Sequence, residues 1–365
     1  MKVLQILNYS APYRGNFIDS LDMIENNDIA EVENFYLFAD ETKTKSASWI
    51  DSINKDNKHV FYLGEGFSNN VKRIRKVVKD CNIDVVHMHF WGIRMHTAIL
   101  TSLWNMGGGG KRPVLIRHFH NHSDYNEHPL RKIYGNIFYR SATMIGCSES
   151  VTNSIKRDFP KIDVRCVNNA ISFSRLDEYE VIGLDQGISV MMFGADFERK
   201  GVDITYKAIN DLVNKGYQIN LYIVCSINED ICKDKLKKVA GTNMLPKWVH
   251  FLPPRQDIAT YYRAVDIFVS PSREEGLAYA IPEAAYCGCN VVATKIGGQL
   301  YYEKIPGVIF IPAEDPEALS NAILSVVKKE KNRAHVEDFL VKEFGLKKWA
   351  NDVTEIYLEK MKERR

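Results

Sequence analysis

The sequence predicts an α/β protein made of two Rossmann-like, doubly wound domains in tandem. Three observations carry that reading. The chain has 365 residues, more than the roughly 100–200 of a single domain. Short apolar runs alternate with helical patterns along its whole length, the rhythm of strand–helix–strand units around a parallel sheet. That rhythm breaks once, in the polar, turn-rich stretch AISFSRLDEYEVIGLDQG after Asn169, and then restarts. The expected division is a first domain at 1–171, a linker at 172–187, a second domain at 188–345 and a closing helix at 346–365.

In the first domain the expected strands are Val3–Leu7, Asn34–Phe38, Val60–Leu63, Val85–His89, Val114–Phe119, Thr143–Cys147 and Val164–Val167. Several are continuous apolar runs, as in a parallel sheet covered on both faces. Helical spacing fills Asn69–Asp80, Arg94–Asn105 and Leu130–Tyr139. The second domain reads as strands at Ile188–Phe193, Leu221–Cys225, Val249–Leu252, Ile267–Ser270, Val291–Ala293 and Val308–Ile311. Its helices are expected from Val202, over Ile258–Ala264, near Glu283 and from Pro316. The tail Leu346–Lys362 is an amphipathic helix with no strand after it. Two such domains would bind a ligand in the cleft between them, at the carboxyl ends of both sheets.

Composition narrows the function. Hydrophobic residues at 45% and charged residues at 26% suit a folded chain with a sizeable core. No run approaches the roughly 18–20 apolar residues of a membrane span, and the opening MKVLQILNYSAPYRG reads as a strand, not an export signal. A net charge of +2 excludes a polycation built for duplex nucleic acid. Up to Ile171 there are 22 basic and 18 acidic residues, and 26 and 28 after it, a basic bias that permits contact with an anionic membrane. The seven Cys include no C-x-x-C pair. They read as reduced thiols of a cytoplasmic protein.

Some motifs are set aside. Met106–Lys111 is Gly-rich but is not the G-x-x-x-x-G-K-[ST] phosphate loop, and no G-x-G-x-x-G follows the first strand. The chain has no D-x-D, so no carboxylate clamp for a divalent ion is expected. His118, His120 and His122 alternate at a strand end, yet Asp124 is the only carboxylate close by. Metal binding is not expected: a polar cleft wall made with His87–His89 explains the cluster as well, and for most of these histidines the reading is a satisfied neutral side chain. The run Lys72–Lys79 is a solvated helix face that could also meet anionic lipid.

Two segments carry chemistry. Pro271–Ala284 follows a strand and opens a helix: Gly276 permits a tight turn, Pro282 suits a first helical turn, and free N–H groups there can hold phosphate oxygens. Glu275 and Glu283 can accept hydrogen bonds from vicinal hydroxyls. Phe193–Asp203 follows another strand of the same sheet, and Arg199 and Lys200 could neutralise a diphosphate. Together they describe a pyrophosphate-and-diol site, that of a nucleotide sugar.

These residues resemble retaining glycosyltransferases of family 4, which have the GT-B fold. Pro271–Glu283 is similar to that family's P-S-x-x-E-G-F-G-L-x-x-x-E signature, and Arg199-Lys200-Gly201 to its diphosphate-binding K-G loop. Val114–Asn121 resembles the V-R-I-A-H-S-H-N run of capsule and exopolysaccharide members. Val167–Ile171 resembles their N-N-A-I-D run, and Asp84–His87 and the closing helix also fit. The resemblance implies two domains facing a central cleft, with the last helix returning to the first domain. It implies that Glu275 holds donor-sugar hydroxyls and Glu283 the ribose hydroxyls. Lys200, Arg199 and the backbone of Gly276, Leu277, Ala278 and Tyr279 would hold the diphosphate. His120 would face the sugar, Arg255 would lie by the base, and Arg14 and Gly15 of the loop Tyr13–Asn16 would approach the phosphate. The sequence departs from the pattern at Ala195, in place of a phosphate-binding Arg, and at Ala278, in place of a Gly; Arg199 or Arg14 would compensate for Ala195.

The implied reaction is transfer of a sugar from a nucleotide sugar, with uridine the expected base, to a saccharide acceptor with retention at the anomeric carbon. Lys200 and the helix start would stabilise the departing diphosphate. No metal or other cofactor is expected. Cell-surface polysaccharide synthesis at the inner membrane face, on a lipid-linked saccharide, is the implied setting. The alternatives are a sugar-nucleotide 2-epimerase of the same architecture, which needs no acceptor, and a non-catalytic two-domain binding protein.

Overall fold

The computed structural model describes all residues except 12–13, 40, 55–58, 105–111, 124–128, 226–228, 328–335 and 365. Tyr13, the Gly-rich turn 106–111 and Asp124 therefore lie outside the described residues. The chain forms two compact units, Met1–Ala170 with Phe344–Arg365, and Ile171–Glu343.

The first unit runs β1 (Lys2–Leu7), α1 (Gly15–Met23), β2 (Glu33–Phe38), α2 (Glu41–Lys45), α3 (Ile50–Ile53), β3 (Val60–Tyr62), α4 (Phe67–Asp80), β4 (Val85–His89), α5 (Ile93–Trp104), β5 (Val114–Phe119), α6 (Pro129–Phe138), β6 (Thr143–Gly146), α7 (Glu149–Asp158) and β7 (Val164–Cys166). Its seven strands are parallel in the order β3-β2-β1-β4-β5-β6-β7. Strand side chains alternate between faces, and β1 shows the result. Val3 and Leu7 join one apolar core with residues of α1, while Leu4 and Ile6 join the other with residues of α4 and α5. Both faces are covered, which is why these strands read as continuous apolar runs.

The second unit runs β8 (Ile188–Phe193), α8 (Val202–Asn214), β9 (Ile219–Val224), α9 (Glu229–Ala240), β10 (Val249–Leu252), α10 (Ala259–Ala264), β11 (Ile267–Ser270), α11 (Ala280–Tyr286), β12 (Asn290–Thr294), β13 (Val308–Ile311), α12 (Pro316–Val327) and α13 (Val336–Phe344). Six parallel strands lie in the order β10-β9-β8-β11-β12-β13. The last helix, α14 (Leu346–Glu363), packs on the first unit. Its buried residues Trp349, Ala350, Val353, Ile356 and Tyr357 recur at helical spacing and enter the same core as Val3 and Leu7. Lys360 Nζ lies 2.9 Å from Asp163 Oδ2, and Arg165 pairs with Glu359.

The segment 172–187 is less of a free connector than its polarity suggests. Phe173 and Leu176 are buried, the Phe173 ring lies 4.8 Å from that of Tyr286, and Asp177 Oδ1 accepts from Tyr286 Oη at 2.9 Å. α1, α2, α3, α7, α9 and α13 are helices that the sequence reading did not single out. Polar or charged residues dominate α7 and α9, which bury only narrow apolar stripes.

Tyr357 ties α14 to the sheet through its fully buried hydroxyl, 2.6 Å from His87 Nδ1 and 3.5 Å from Gln5 Nε2. Tyr357→Phe leaves His87 Nδ1 without its partner, so a loss of about 1–3 kcal/mol is expected. Urea unfolding followed by circular dichroism measures it; an unchanged midpoint would refute the assignment.

Candidate functional site

In the second sheet β8 pairs with β9 on one side and β11 on the other. The chain direction of winding reverses there, and ligands of open α/β sheets bind outside the carboxyl ends of strands at such a point. The loops after β8 and β11 meet at this edge. Gly201 has φ +68°, and a Cβ on it would come within 2.1 Å of Pro271 O, so the two loops approach more closely than any other residue would allow. Arg273 N donates to Arg199 O at 2.8 Å, joining them through the backbone.

Glu275 sits at the centre, only 8% exposed. Lys200 Nζ lies 2.5 Å from Oε1, Ser272 Oγ donates to Oε1 at 3.0 Å, and Arg199 Nη1 is 3.2 Å from Oε2. A carboxylate this buried needs such partners, because desolvation disfavours an unpaired charge. Glu283, 5% exposed, lies in the first turn of α11. It pairs with Arg175 and accepts from Tyr262 Oη at 3.2 Å. Burial, with Glu283 close by, holds the Tyr262 phenol well above its usual range, so it stays a hydrogen-bond donor. Lys200, Glu275, Ala278, Tyr279 and Glu283 line one cavity of about 250 Å³. Leu277 lines it too and is buried.

The structure thus brings together Lys200, Arg199, Glu275, Gly276, Leu277, Ala278, Tyr279 and Glu283. It adds Arg175, Tyr262 and Ser272. Arg175 stands 108 positions before Glu283, in the stretch read as linker, and no local pattern signals the pairing. Gly276 is not among the glycines with positive φ. Gly298 packs against it, and a Cβ there would lie 1.9 Å from Gly276 O. Arg273 is held by Asp203 at 2.8 Å and by Glu314, which makes it a brace for the loop.

Arg255 follows β10, the edge strand, and its guanidinium is taken by Asp257 and Glu180, both at 2.6 Å. In the first unit Gly15, with φ +59°, opens α1. Arg14 pairs with Asp19 and Asp22 at 2.5 and 2.6 Å, so two carboxylates already occupy the side chain expected to approach a phosphate.

His120 follows β5 and is half-buried, its ring 4.2 Å from that of the partly exposed Phe90 and beside the buried His89 and His118. A chain of amides sets its tautomer. Asn34 Nδ2 donates to Leu21 O at 2.8 Å, which leaves Asn34 Oδ1 to accept from Gln5 Nε2 at 3.1 Å. Gln5 Oε1 then accepts from His89 Nε2 at 3.0 Å, and His89 Nδ1 accepts from His120 Nε2 at 3.2 Å. Ring nitrogens of His87, His89 and His118 lie within 4.8 Å of one another, the spacing of a possible metal group. In this hydrogen-bond pattern, however, the free lone pair of His89 is already used by His120. Burial pushes His87, His96 and His120 down to about 3, and His89 and His118 well below their usual range.

Comparison with known proteins agrees with this geometry. Residues 188–329 match the family of glycosyl transferases group 1. A D-inositol 3-phosphate glycosyltransferase of Corynebacterium urealyticum is 20% identical over 75% of this chain and 70% of that protein. An uncharacterized glycosyltransferase of Haemophilus influenzae is 25% identical over 65% of this chain and 64% of its own length. The chain thus spans about two thirds of these relatives. Among solved structures, a glycosyltransferase from Rickettsia africae superimposes with a TM-score of 0.77 at 17% identity, covering 99% of this chain and 98% of that one. Anabaena HepE in complex with UDP gives 0.74 at 15%, covering 98% and 100%. The architecture is the GT-B fold. Within the second unit, residues 188–329 are similar to group 1 glycosyl transferases, and the two relatives and the Rickettsia africae structure are glycosyltransferases.

The buried imidazoles set a pH dependence. Their folded pKa values lie below the unfolded value of about 6.5, so the stability they contribute is full above that pH and is lost as pH falls toward 3. The urea midpoint of the protein is expected to drop steeply below pH 6.5. A flat profile between pH 6.5 and 4.5 would contradict the burial of these rings.

Proposed function

We propose that the protein is a retaining glycosyltransferase of family 4 type that moves a sugar from a UDP-sugar to a saccharide acceptor in cell-surface polysaccharide synthesis. The observation that carries this reading is the pair of buried carboxylates, Glu275 and Glu283, on one cavity with Lys200 at the β8/β11 edge. Glu283 receives the ribose hydroxyls and Glu275 those of the transferred sugar. Lys200, Arg199 and the backbone N–H groups of 276–279 take the diphosphate, whose charge rises as the glycosidic bond breaks. Fixed donors aimed at that charge lower the barrier without reorganising. Ala195 offers no cation, and Arg199 stands in its place. His120 is neutral through the working pH range and offers the sugar hydrogen bonds without adding charge. The acceptor oxygen attacks on the face that the diphosphate leaves, and a phosphate oxygen takes its proton. Charge on the diphosphate is met by side chains, so no resident metal is required. Anabaena HepE, solved with UDP and with UDP-glucose, supports uridine as the base.

Glu283→Ala is expected to weaken UDP binding by about 1–3 kcal/mol and to abolish detectable transfer. Lys200→Ala is expected to slow transfer more than it weakens binding. Calorimetry with UDP, against GDP and ADP, measures the first; wild-type affinity in Glu283→Ala would remove the ribose assignment. Product analysis with donor alone addresses the epimerase reading, which it would favour if an epimer forms without acceptor.

A place at the inner membrane face, on a lipid-linked acceptor, is part of the proposal. On α6, Leu130, Ile133 and Ile137 are 76%, 58% and 60% exposed at helical spacing, an apolar stripe turned to solvent. Lys72, Arg73, Lys76 and Lys79 line the exposed face of α4. An apolar stripe and a basic helix face on one unit each suit an anionic lipid surface. Cosedimentation with vesicles containing phosphatidylglycerol is expected, and the double variant Ile133→Asp, Ile137→Asp is expected to lose it. Equal recovery with and without vesicles would count against membrane contact.

A further inference from the structure

In the sequence the histidines of the first unit read as neutral polar side chains; the fold brings three of them onto one spot. His87 and His89 alternate on β4 and face one side of the sheet, and His118 of β5 stands in register beside His89. Tyr357 and Trp349 of α14 cover them, with ring centroids 5.7 Å from that of His87 and 6.1 Å from that of His118. His87 and His89 are 0% and His118 is 3% exposed. One ring nitrogen from each lies within 4.8 Å of the other two.

Buried polar groups are normally hydrogen-bonded. Here His87 Nε2 and both nitrogens of His118 have no hydrogen-bond partner among the described residues. A neutral imidazole carries one N–H and one lone pair, and a buried lone pair without a partner is costly. A cation shared by lone pairs removes that cost.

The remaining nitrogens are held as ligating imidazoles need. A metal-bound His donates its other N–H to a neighbour, which fixes the lone pair on the metal side. His87 Nδ1 lies 2.6 Å from Tyr357 Oη, an oxygen able to accept, and that bond places the lone pair on Nε2. His89 Nε2 donates to Gln5 Oε1 at 3.0 Å, and Asn34 orients the Gln5 amide, so the His89 lone pair is on Nδ1. Without an ion, that lone pair accepts from His120 Nε2 at 3.2 Å. Two nitrogens on one tetrahedral zinc stand about 3.3–3.4 Å apart, so His120 Nε2 already keeps the spacing of a fourth ligand from His89. His118 and His120 also line a cavity of about 900 Å³ in this unit, which gives an ion a way in.

We propose that His87, His89 and His118 bind a transition-metal ion. His87 Nε2, His89 Nδ1 and one nitrogen of His118 are the ligands, drawn together from their present spacing, and the fourth position opens toward His120 and the cavity. Among the described residues no carboxylate joins the group. An all-imidazole set suits zinc, copper or nickel, and not the magnesium or manganese that oxygen ligands hold. The ion ties β4 to β5 beneath α14. It belongs to the first unit alone and does not depend on the glycosyl-transfer reading.

The test strips the purified full chain with a chelator, dialyses it against zinc chloride and then against metal-free buffer, and measures zinc by mass spectrometry. About one zinc per chain is expected, with a thermal midpoint above that of the stripped protein. His118→Leu removes two nitrogens without partners among the described residues, so the metal-free variant is expected to keep the wild-type midpoint. It is expected to lose both the zinc and the rise in midpoint, while His122→Ala, outside the group, keeps both. Cobalt(II) added to the stripped wild type gives a second readout that needs no variant: the visible absorption of a tetrahedral nitrogen site, abolished by zinc. The proposal is overturned by wild type that retains no zinc, by zinc that leaves the midpoint unchanged, by equal zinc in a folded His118→Leu, or by cobalt without that absorption.

Discussion

Two carboxylates held out of water set the terms for the second unit. Glu275 and Glu283 are each less than a tenth exposed, and an isolated charge in such a place would cost several kcal/mol. The surrounding structure exists in the form that matches them. Lys200, Arg199 and Ser272 converge on the first, Arg175 and Tyr262 on the second. These partners come from the loop after β8, the loop after β11, the stretch before β8, and α10. Meeting that demand fixes the close approach of Gly201 to Pro271 and of Gly298 to Gly276, and with it the walls of the cavity.

The first unit solves the opposite problem. Its polar interior is neutral where it is deepest and cationic where it is open. The histidines beneath the sheet edge are kept uncharged by burial and linked through Gln5 and Asn34 into one oriented chain ending at His120. Above them, among the described residues, Arg94 and Arg117 line the cavity.

Most strands could be placed within a residue or two from apolar runs, because burial on both faces of a parallel sheet leaves an unmistakable pattern. The P-S-R-E-E-G segment and the R-K-G loop were legible for a related reason: both are local, each following a strand and opening a helix. Helices such as α7 and α9 were not, since their buried stripes are narrow and their outward faces rich in polar groups. Gly298, which comes from the loop after β12 and meets Gly276 only in space, was not legible: a Cβ there would lie 1.9 Å from Gly276 O.

The sequence by itself determined the strand–helix alternation, the two α/β units and the local segments that carry Glu275, Glu283 and Lys200, because each of these is written in residues near one another along the chain. Only the tertiary structure decided which charges meet. Arg175 reaches Glu283 and Tyr357 reaches His87 across 108 and 270 positions, Arg14 and Arg255 are engaged by neighbouring carboxylates, and Arg94 is left with none among the described residues. Pairing follows distance in space and the local dielectric, and neither is a property of the order of residues alone.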